Sequence, residues 1–374
     1  MPKSQKHIIC TVTNDLVYDQ RMIRICSTLV EFGYQVTLVG REKKSSKALV
    51  ERPFQQIRLK VSAEKGKFFY YQFHRALKQW LLSQKMDILY AVDLDTLLAC
   101  AQVHQKKKDL KLVYDAHEYF TEVPELLGRP IVKKIWEQIA NYGIPKADVC
   151  MTVSETLGEV LAQKYGQKFH IVRNVPTIKP LPTLPQIHPK IILYQGVLNK
   201  GRGIEATILA MHQIKDAQLW LVGMGDVEME LKVLVQQEKL TDKVIFKGHI
   251  RPDKLPEITQ QSWLGINLLE GESLNYYYSL ANKFFDYMMA GVPSLNMNFP
   301  EYRRILSEYP MGLLLSELTP DEIARQINEL MNHPDVYQHM VAEAKKARDV
   351  FNWAVEKEKL AECMELLENF WKVI

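Results

Sequence analysis

YQGVLNKGRGIEATI, residues 194–208, reads as a strand that runs into a glycine-rich, basic turn and leaves it as a helix. The same plan returns in WLVGMGDVEMEL, residues 220–231, where Asp226 is placed to cap the following helix through its carboxylate. Working outward, short β-branched and aromatic runs alternate with longer stretches of three- and four-residue apolar spacing. Strands are expected near 190–196, 218–223, 244–247, 264–269, 292–297 and 312–315. Helices are expected near 203–214, 226–238, 253–260, 279–290, 301–308, 319–332 and 335–350, with a last amphipathic segment at 353–371.

Before this half lies NVPTIKPLPTLPQIHP, 174–189, with five prolines in sixteen residues. Proline lacks the amide proton that a helix or central strand needs, so the stretch reads as a connector. The first half repeats the alternation, with strands near 7–13, 36–39, 56–61, 87–92, 111–116, 149–154 and 169–173. Helices fall at 21–32, 69–84, 94–108, 131–142 and 156–165. Strand–helix alternation builds a mostly parallel sheet covered on both faces. The expected fold is therefore α/β, two doubly wound, Rossmann-like domains: 1–180, 188–350, and a C-terminal helix, 351–374, returning to the first. Ligands of such sheets sit at the carboxyl ends of the strands, which makes the space between the domains the first place to look.

Composition agrees with a globular chain and excludes other classes. Of 374 residues, 47% are hydrophobic and 25% charged, which rules out disordered, collagen-like and coiled-coil proteins. The net charge of +4 gives no support to nucleic-acid binding. It hides a polarity, however: residues 1–186 hold 28 Lys+Arg against 18 Asp+Glu, and residues 187–374 hold 20 against 26. A basic first domain fits an acidic partner or an anionic surface. The five cysteines show no CxxC and no zinc spacing, the start MPKSQKHIICTVT lacks a signal-peptide pattern, and no run reaches about 18 apolar residues. A cytoplasmic location is expected, with no metal or cofactor.

Four stretches can carry chemistry. In 194–208, glycines let the backbone approach an anion, and Lys200 and Arg202 add positive charge, which suits a phosphate. Gly201 and Gly203 are spaced GxG, but the dinucleotide fingerprint is incomplete, and a plain strand–turn–helix connection accounts for the stretch equally well. In 220–231 the GxG of Gly223 and Gly225 reads first as structural, while letting a base or ribose lie near the backbone. SLNYYYSLANKFFDYMMAGVPSL, 273–295, puts Lys283, Asp286 and Tyr287 on one helix face and Phe284, Phe285, Met288 and Met289 on the other. Either Lys283 and Asp286 form an exposed ion pair of little consequence, or that face holds Lys283 on a phosphate and Asp286 on ribose hydroxyls. Last, the strand in KLVYDAHEYF, 111–120, runs out into Asp115, His117 and Glu118, where His117 either caps the next segment or handles a proton near pH 7.

Together these pieces resemble a retaining, nucleotide-sugar-dependent glycosyltransferase of family 4, whose GT-B fold sets two Rossmann-like domains across a donor-binding cleft. NKFFDYMMAGVP, 282–293, is similar to the family pattern Asn-Lys-Leu-Phe-Glu-Tyr-Met-x-x-Gly-x-Pro, with Asp286 in place of Glu. The resemblance covers essentially the whole chain. It implies that Lys283 neutralises the donor diphosphate, that Asp286 holds the ribose, that Gly196, Lys200, Gly201 and Arg202 form the diphosphate loop, and that His117 lies beside the donor sugar. Gly223, Gly225, Tyr278 and Asn282 join the donor-binding set. The chain departs from the family at three places: Tyr278 stands where many members have Glu, Val197 where many have Arg, and TNDLVYDQRMIR after the first strand has no glycines. There Asn14, Asp15 and Arg21, with Asp93 and Glu118, are expected on the acceptor side.

The implied reaction moves a sugar from a UDP- or GDP-sugar to a glycan or lipid-linked acceptor with retention and without a metal, in cell-surface polysaccharide or glycolipid assembly. Lys283, Arg202 and His117 form the catalytic set. Segment 64–85 interleaves Lys65, Lys67, Arg75, Lys78 and Lys85 with Phe68, Phe69, Tyr70, Tyr71, Phe73 and Trp80. It is either a core-packed helix with a solvated basic side or a docking surface for the inner face of an anionic membrane. Two other classes remain open: a nucleotide-sugar epimerase using Asp93, Asp95, Asp115 and Glu118 as acid and base, and a non-catalytic nucleotide-sugar-binding partner. A NAD-dependent dehydrogenase is disfavoured because no glycine-rich loop follows the first strand.

Overall fold

A computed structural model describes residues 5–180 and 188–372. The chain forms two compact units, Met1–Asn174 with Lys357–Ile374, and Val175–Glu356. The first unit is built on β1 (His7–Thr11), β2 (Gln35–Glu42), β3 (Gln55–Lys60), β4 (Ile88–Val92), β5 (Lys111–Ala116), β6 (Val149–Thr152) and β7 (Phe169–Ile171). They form one parallel sheet in the order β3-β2-β1-β4-β5-β6-β7. Helices α1 (Gln20–Glu31), α2 (Gly66–Ser83), α3 (Asp93–His104), α4 (Pro130–Gly143) and α5 (Glu155–Tyr165) connect it. A parallel sheet covered on both faces needs strands apolar throughout rather than alternating. All five residues of β4, ILYAV, are accordingly buried.

The second unit repeats the design with β8 (Lys190–Gln195), β9 (Ala217–Val222), β10 (Val244–Gly248), β11 (Leu264–Asn267), β12 (Ser294–Met297) and β13 (Gly312–Leu315), parallel in the order β10-β9-β8-β11-β12-β13. Its helices are α6 (Ile204–Ala210), α7 (Glu228–Gln237), α8 (Leu255–Gln260), α9 (Leu274–Tyr277), α10 (Asn282–Ala290), α11 (Pro300–Glu308), α12 (Pro320–Asn332) and α13 (Pro334–Val350). Ile192, Leu219, Ile266, Phe284 and Phe285 belong to one buried apolar core. The closing helix α14 (Trp353–Lys372) supplies Leu360, Met364 and Leu367 to the buried set of the first unit.

Local punctuation follows from side-chain chemistry. Asp19, Ser154 and Thr319 accept from the first-turn amides of α1, α5 and α12. Gly166 and Gly291 end α5 and α10 in the left-handed conformation. In both sheets the strand order reverses beside the first strand, between β1 and β4 and between β8 and β11, and such switch points open a crevice at the carboxyl ends.

The structure differs from the sequence reading at several points. The units divide between Asn174 and Val175 rather than beyond 180, and residues 351–356 stay with the second unit. Residues 181–187 of the proline-rich connector lie outside the described residues. Asp226 does not cap α7: the helix starts from Val227 with no side-chain cap, and the Asp226 amide instead donates to Asn199 Oδ1 at 3.1 Å. The helix expected from 279 starts at Asn282, because Leu274–Tyr277 winds a turn of its own and Ala281 is extended. All five cysteines are buried and free, and among the described residues no helix is long and apolar enough to cross a membrane.

Candidate functional site

In the second unit the site grows from the carboxyl end of β8. Gln195 is its last residue, Gly196 follows with φ +136°, and the turn reaches α6 through left-handed Gly201 and Gly203. A Cβ on Gly223 would lie 1.8 Å from the Gly196 carbonyl oxygen, and one on Gly225 would lie 2.2 Å from the Leu198 carbonyl oxygen. The glycines at 223 and 225 thus let two loops interlock, and the space beside each is filled by protein backbone.

Lys283 sits in the first turn of α10 and is only 8% exposed, which excludes the exposed ion pair with Asp286. Its Nζ lies 4.0 Å from the Tyr194 ring centroid and beside Gly196, where a built Cβ would be 3.6 Å away. Among the described residues this ammonium has no hydrogen-bond partner. Burial, reinforced by the charge of Arg202 and opposed by Asp286, pushes Lys283 down to about 7. Arg202 lies over the Tyr276 ring at 5.0 Å, and its buried Nε also lacks a hydrogen-bond partner. Lys200 is exposed, so Arg202 and Lys283 are the cations that burial holds around the Gly196 turn. Buried cationic donors without acceptors are costly, and an anion would satisfy both.

Tyr287 does not share the Lys283 and Asp286 surface. It is fully buried against Gly265, and its hydroxyl lies 2.9 Å from the Leu193 carbonyl and 3.2 Å from that of Ile266, holding β8 to β11. Asp286 accepts from Gln195 Nε2 at 2.9 Å. Tyr278 is half-buried with its ring edge-on to Tyr277 at 5.1 Å, and Asn282 is exposed at the start of α10. A cavity of about 450 Å³ lined by Lys190, Trp263 and Tyr337 lies at the amino ends of the strands, away from this chemistry.

In the first unit, β1, β4 and β5 bring a second group of side chains to their carboxyl ends. Arg21 donates from Nη2 to both oxygens of Asp115 at 2.9 and 3.0 Å and from Nη1 to the Val172 carbonyl at 2.8 Å. The Tyr90 hydroxyl donates to Asp115 Oδ2 at 2.7 Å. Burial acts to raise the Asp115 carboxyl, but Arg21 and His117 more than offset it and hold it well below its usual range. His117 Nε2 lies 3.0 Å from Asp115 Oδ2 and 2.9 Å from Arg21 Nε, and Arg21 Nε is 3.3 Å from the same Asp115 oxygen. A neutral His117 with a bare Nε2 accepts from Arg21. A protonated one donates to Asp115, and Arg21 Nε then turns to the carboxylate. Burial works against the imidazolium, yet Asp115 and Asp93 outweigh it and raise His117.

Asp93 opens α3 with φ +53° and accepts from the His117 amide at 2.9 Å. Burial, with Glu118 and Asp95 nearby, raises Asp93 well above the carboxylate range. Burial likewise raises Asp95 to about 7, although Thr13 hydrogen-bonds it. Asn14 is exposed, with its amide 3.3 Å from Asp19 Oδ2. Two acceptor-side expectations are corrected here. Arg21 is 3% exposed and committed to Asp115, and Asp15 is buried, bound by Arg58 at 2.6 Å and by Ser46. Both charges are neutralised inside the protein. Among the described residues no three His, Cys, Asp or Glu side chains form a group able to hold a metal ion.

The family model Glycosyltransferase Family 4 matches residues 20–175, and the model Glycosyl transferases group 1 matches 183–347. The chain belongs to glycosyltransferase family 4. No curated protein matches it in sequence. Its fold is shared by sucrose-phosphate synthase from Thermosynechococcus elongatus, with 17% identity, TM-score 0.82, and coverage of 98% of this chain and 100% of that one. HepE from Anabaena, solved with UDP-glucose, gives 14%, 0.75, 96% and 100% for the same measures. WaaG, a glycosyltransferase involved in lipopolysaccharide biosynthesis, gives 15%, 0.72, 95% and 98%. The two parallel sheets are those of a GT-B glycosyltransferase.

Sequence reasoning on this glycosyltransferase missed Gln195, Thr259 and Tyr194 in the second unit and Tyr90 and Thr13 in the first. A glutamine ending an apolar strand at a glycine turn was the available signal for Gln195. Tyr90 and Tyr194 read as ordinary strand aromatics, because nothing in a periodic apolar run tells which hydroxyl or ring face will meet a charge.

Proposed function

We propose that this glycosyltransferase moves a sugar from a nucleotide-sugar donor to a glycan or lipid-linked acceptor with retention of anomeric configuration, in cell-surface polysaccharide or glycolipid assembly. The observation that carries the reading is Lys283, a buried ammonium without a hydrogen-bond partner among the described residues, beside the exposed turn at Gly196 and within the field of Arg202. A diphosphate supplies the missing acceptors. The UDP-glucose bound by HepE supports a nucleotide sugar as donor, and the lipopolysaccharide role of WaaG supports a glycan acceptor.

As the bond to the sugar breaks, negative charge builds on the departing nucleoside diphosphate. Lys283, Arg202 and the amides of the Gly196 turn stabilise that charge without reorganising, the effect that usually contributes most to such catalysis. The cations do the work a metal would otherwise do, so transfer proceeds without one. Asp286 holds the ribose, and His117, held by Asp115 and Arg21, orients the transferred sugar. The first unit presents Asn14, Asp93 and Glu118 to the acceptor.

A thermal-shift screen of UDP-, GDP- and ADP-sugars identifies the donor, since a ligand bound only by the folded state raises the midpoint. With that donor, Lys283→Ala and Arg202→Ala each lower turnover by about 10²–10³. Near wild-type rates in both variants remove the phosphate assignment, and activity lost to a chelator and restored by Mg²⁺ contradicts the metal-free mechanism. An epimerase draws support from one observation, the raised carboxyls of Asp93 and Asp95. NMR of the donor incubated without acceptor separates the two, because an epimerase converts it.

A surface on the first unit supports the reading of a lipid-linked acceptor. On α2, Phe69, Phe73, Leu77 and Leu81 face the core, whereas Phe68 and Tyr71 are exposed. Tyr70 packs edge-on against Trp136 of α4, whose Ile131 (78% exposed) and Ile135 extend the apolar face. Lys65, Lys67, Arg129 and Lys134 are exposed beside it. Aromatic and aliphatic side chains rimmed by cations suit an anionic bilayer surface. Lys78 takes no part, because its ammonium is tied to Gln102.

A further inference from the structure

Gln195 is 2% exposed at the end of β8 and belongs to none of the charged or glycine features of the site. Its side chain spans two groups. Nε2 donates to Asp286 Oδ2 at 2.9 Å, and Oε1 accepts from Thr259 Oγ1 at 2.7 Å. Thr259 is itself buried in α8, its hydroxyl also 2.9 Å from the Leu255 carbonyl. The carboxylate decides which way the amide points, because an ionised Asp286 can only accept and Oε1 turned toward it would repel. With nitrogen toward Asp286, oxygen faces a hydroxyl that can donate. The relay Thr259, Gln195, Asp286 therefore has one low-energy arrangement, anchored on α8 and β8.

We infer that Gln195 is the positioning residue for Asp286: it fixes the rotation of that carboxylate so that the glycosyltransferase distinguishes a ribonucleotide from its deoxy analogue. The inference rests on the reading of Asp286 as the ribose acceptor. Asp286 is half-buried and stands on the first turns of α10, where its χ angles set the direction of its oxygens. A buried amide with both ends occupied restricts those angles. Being neutral, it also leaves the negative charge on Asp286, whereas a lysine or arginine at 195 would cancel it. A hydrogen bond to an oriented carboxylate gains most over a misplaced one when the acceptor is charged.

The test measures dissociation constants of UDP and GDP, and of their 2′-deoxy and 3′-deoxy forms, for wild type, Gln195→Leu and Gln195→Glu. Circular dichroism and thermal midpoints verify folding. Wild type prefers the ribonucleotide over one deoxy form by about tenfold or more. In Gln195→Leu that ratio collapses to within about threefold, while the deoxy form binds as in wild type because the Lys283 and Arg202 contacts persist. Gln195→Glu keeps the shape but sets two carboxyl groups against each other, so its ribose preference is weak at pH 8 and recovers toward pH 5.5, where the pair holds a proton. An unchanged ratio in folded Gln195→Leu, together with a pH-independent ratio in Gln195→Glu, overturns the positioning role and leaves the nucleotide site standing. Wild type that binds no nucleotide, or does not discriminate between the sugars, overturns the ribose reading of Asp286 and this inference with it.

Discussion

At Lys283, burial and ligand binding pull one ammonium in opposite directions. Burial and Arg202 hold it near 7, against its ordinary 10.5, and a diphosphate beside it favours the charged form. Nucleotide binding between pH 7 and 9 therefore takes up a proton, and the dissociation constant rises by up to about tenfold per pH unit. Calorimetry in two buffers of different ionisation enthalpy reads that proton. Lys283→Arg removes the pH dependence, and a flat wild-type profile takes Lys283 off the phosphate. The stability sign follows from the same shift: between about 7 and 10.5 the unfolded chain holds a proton that the folded one lacks, so this group favours folding more as pH rises. At the other sheet, Arg21→Met strands the buried Asp115 carboxylate and costs about 3–5 kcal/mol in urea unfolding. An unperturbed midpoint would show that Tyr90 and His117 suffice for Asp115. The residue types at 115, 117, 202, 283 and 286 were legible as candidates, but the commitment of Arg21 to Asp115 was not, because the two are brought together only by the parallel pairing of β1, β4 and β5.

Elements were the most legible scale. Central strands such as β1, β4 and β8 lie on apolar runs, since a strand covered on both faces needs one, whereas the edge strand β3, QQIRLK, is polar and partly exposed. The 3₁₀ turns at Phe120–Glu122, Pro124–Leu126 and Ile144–Lys146 and the four-residue α9 escaped notice, because one turn is too short to show a period. The role of the GxG at 223–225 also emerged only between elements. Gly223→Ala drives a methyl into the Gly196 carbonyl and holds an unfavourable φ of +141°, so it lowers stability by at least about 2 kcal/mol and weakens nucleotide binding with it. Gly248→Asn, with open space around a left-handed φ, stays within about 1 kcal/mol of wild type. Thermal midpoints with and without nucleotide check both. Equal midpoints for wild type and Gly223→Ala would mean that the loops do not interlock.

Across the whole molecule the charge polarity persists after α14 is assigned to the first unit: that unit holds 30 Lys+Arg against 22 Asp+Glu, and the second 18 against 22. Sedimentation with vesicles of 30% phosphatidylglycerol in phosphatidylcholine tests the basic side. Wild type pellets with them, and both Lys65/Lys67/Arg129/Lys134→Glu and Phe68/Ile131→Asp stay in the supernatant. Wild type that does not pellet removes the membrane surface. The sequence by itself determined two parallel α/β sheets, the glycine-rich βα turns at their carboxyl ends, and the candidate cations, because apolar period and glycine placement are local properties of a chain. Only the tertiary structure decided which of those charges stay unpaired. Arg21 and Asp15 found partners on neighbouring strands, whereas the buried Lys283 ammonium has no hydrogen-bond partner among the described residues, and whether a charge is compensated depends on contacts between residues far apart in the chain.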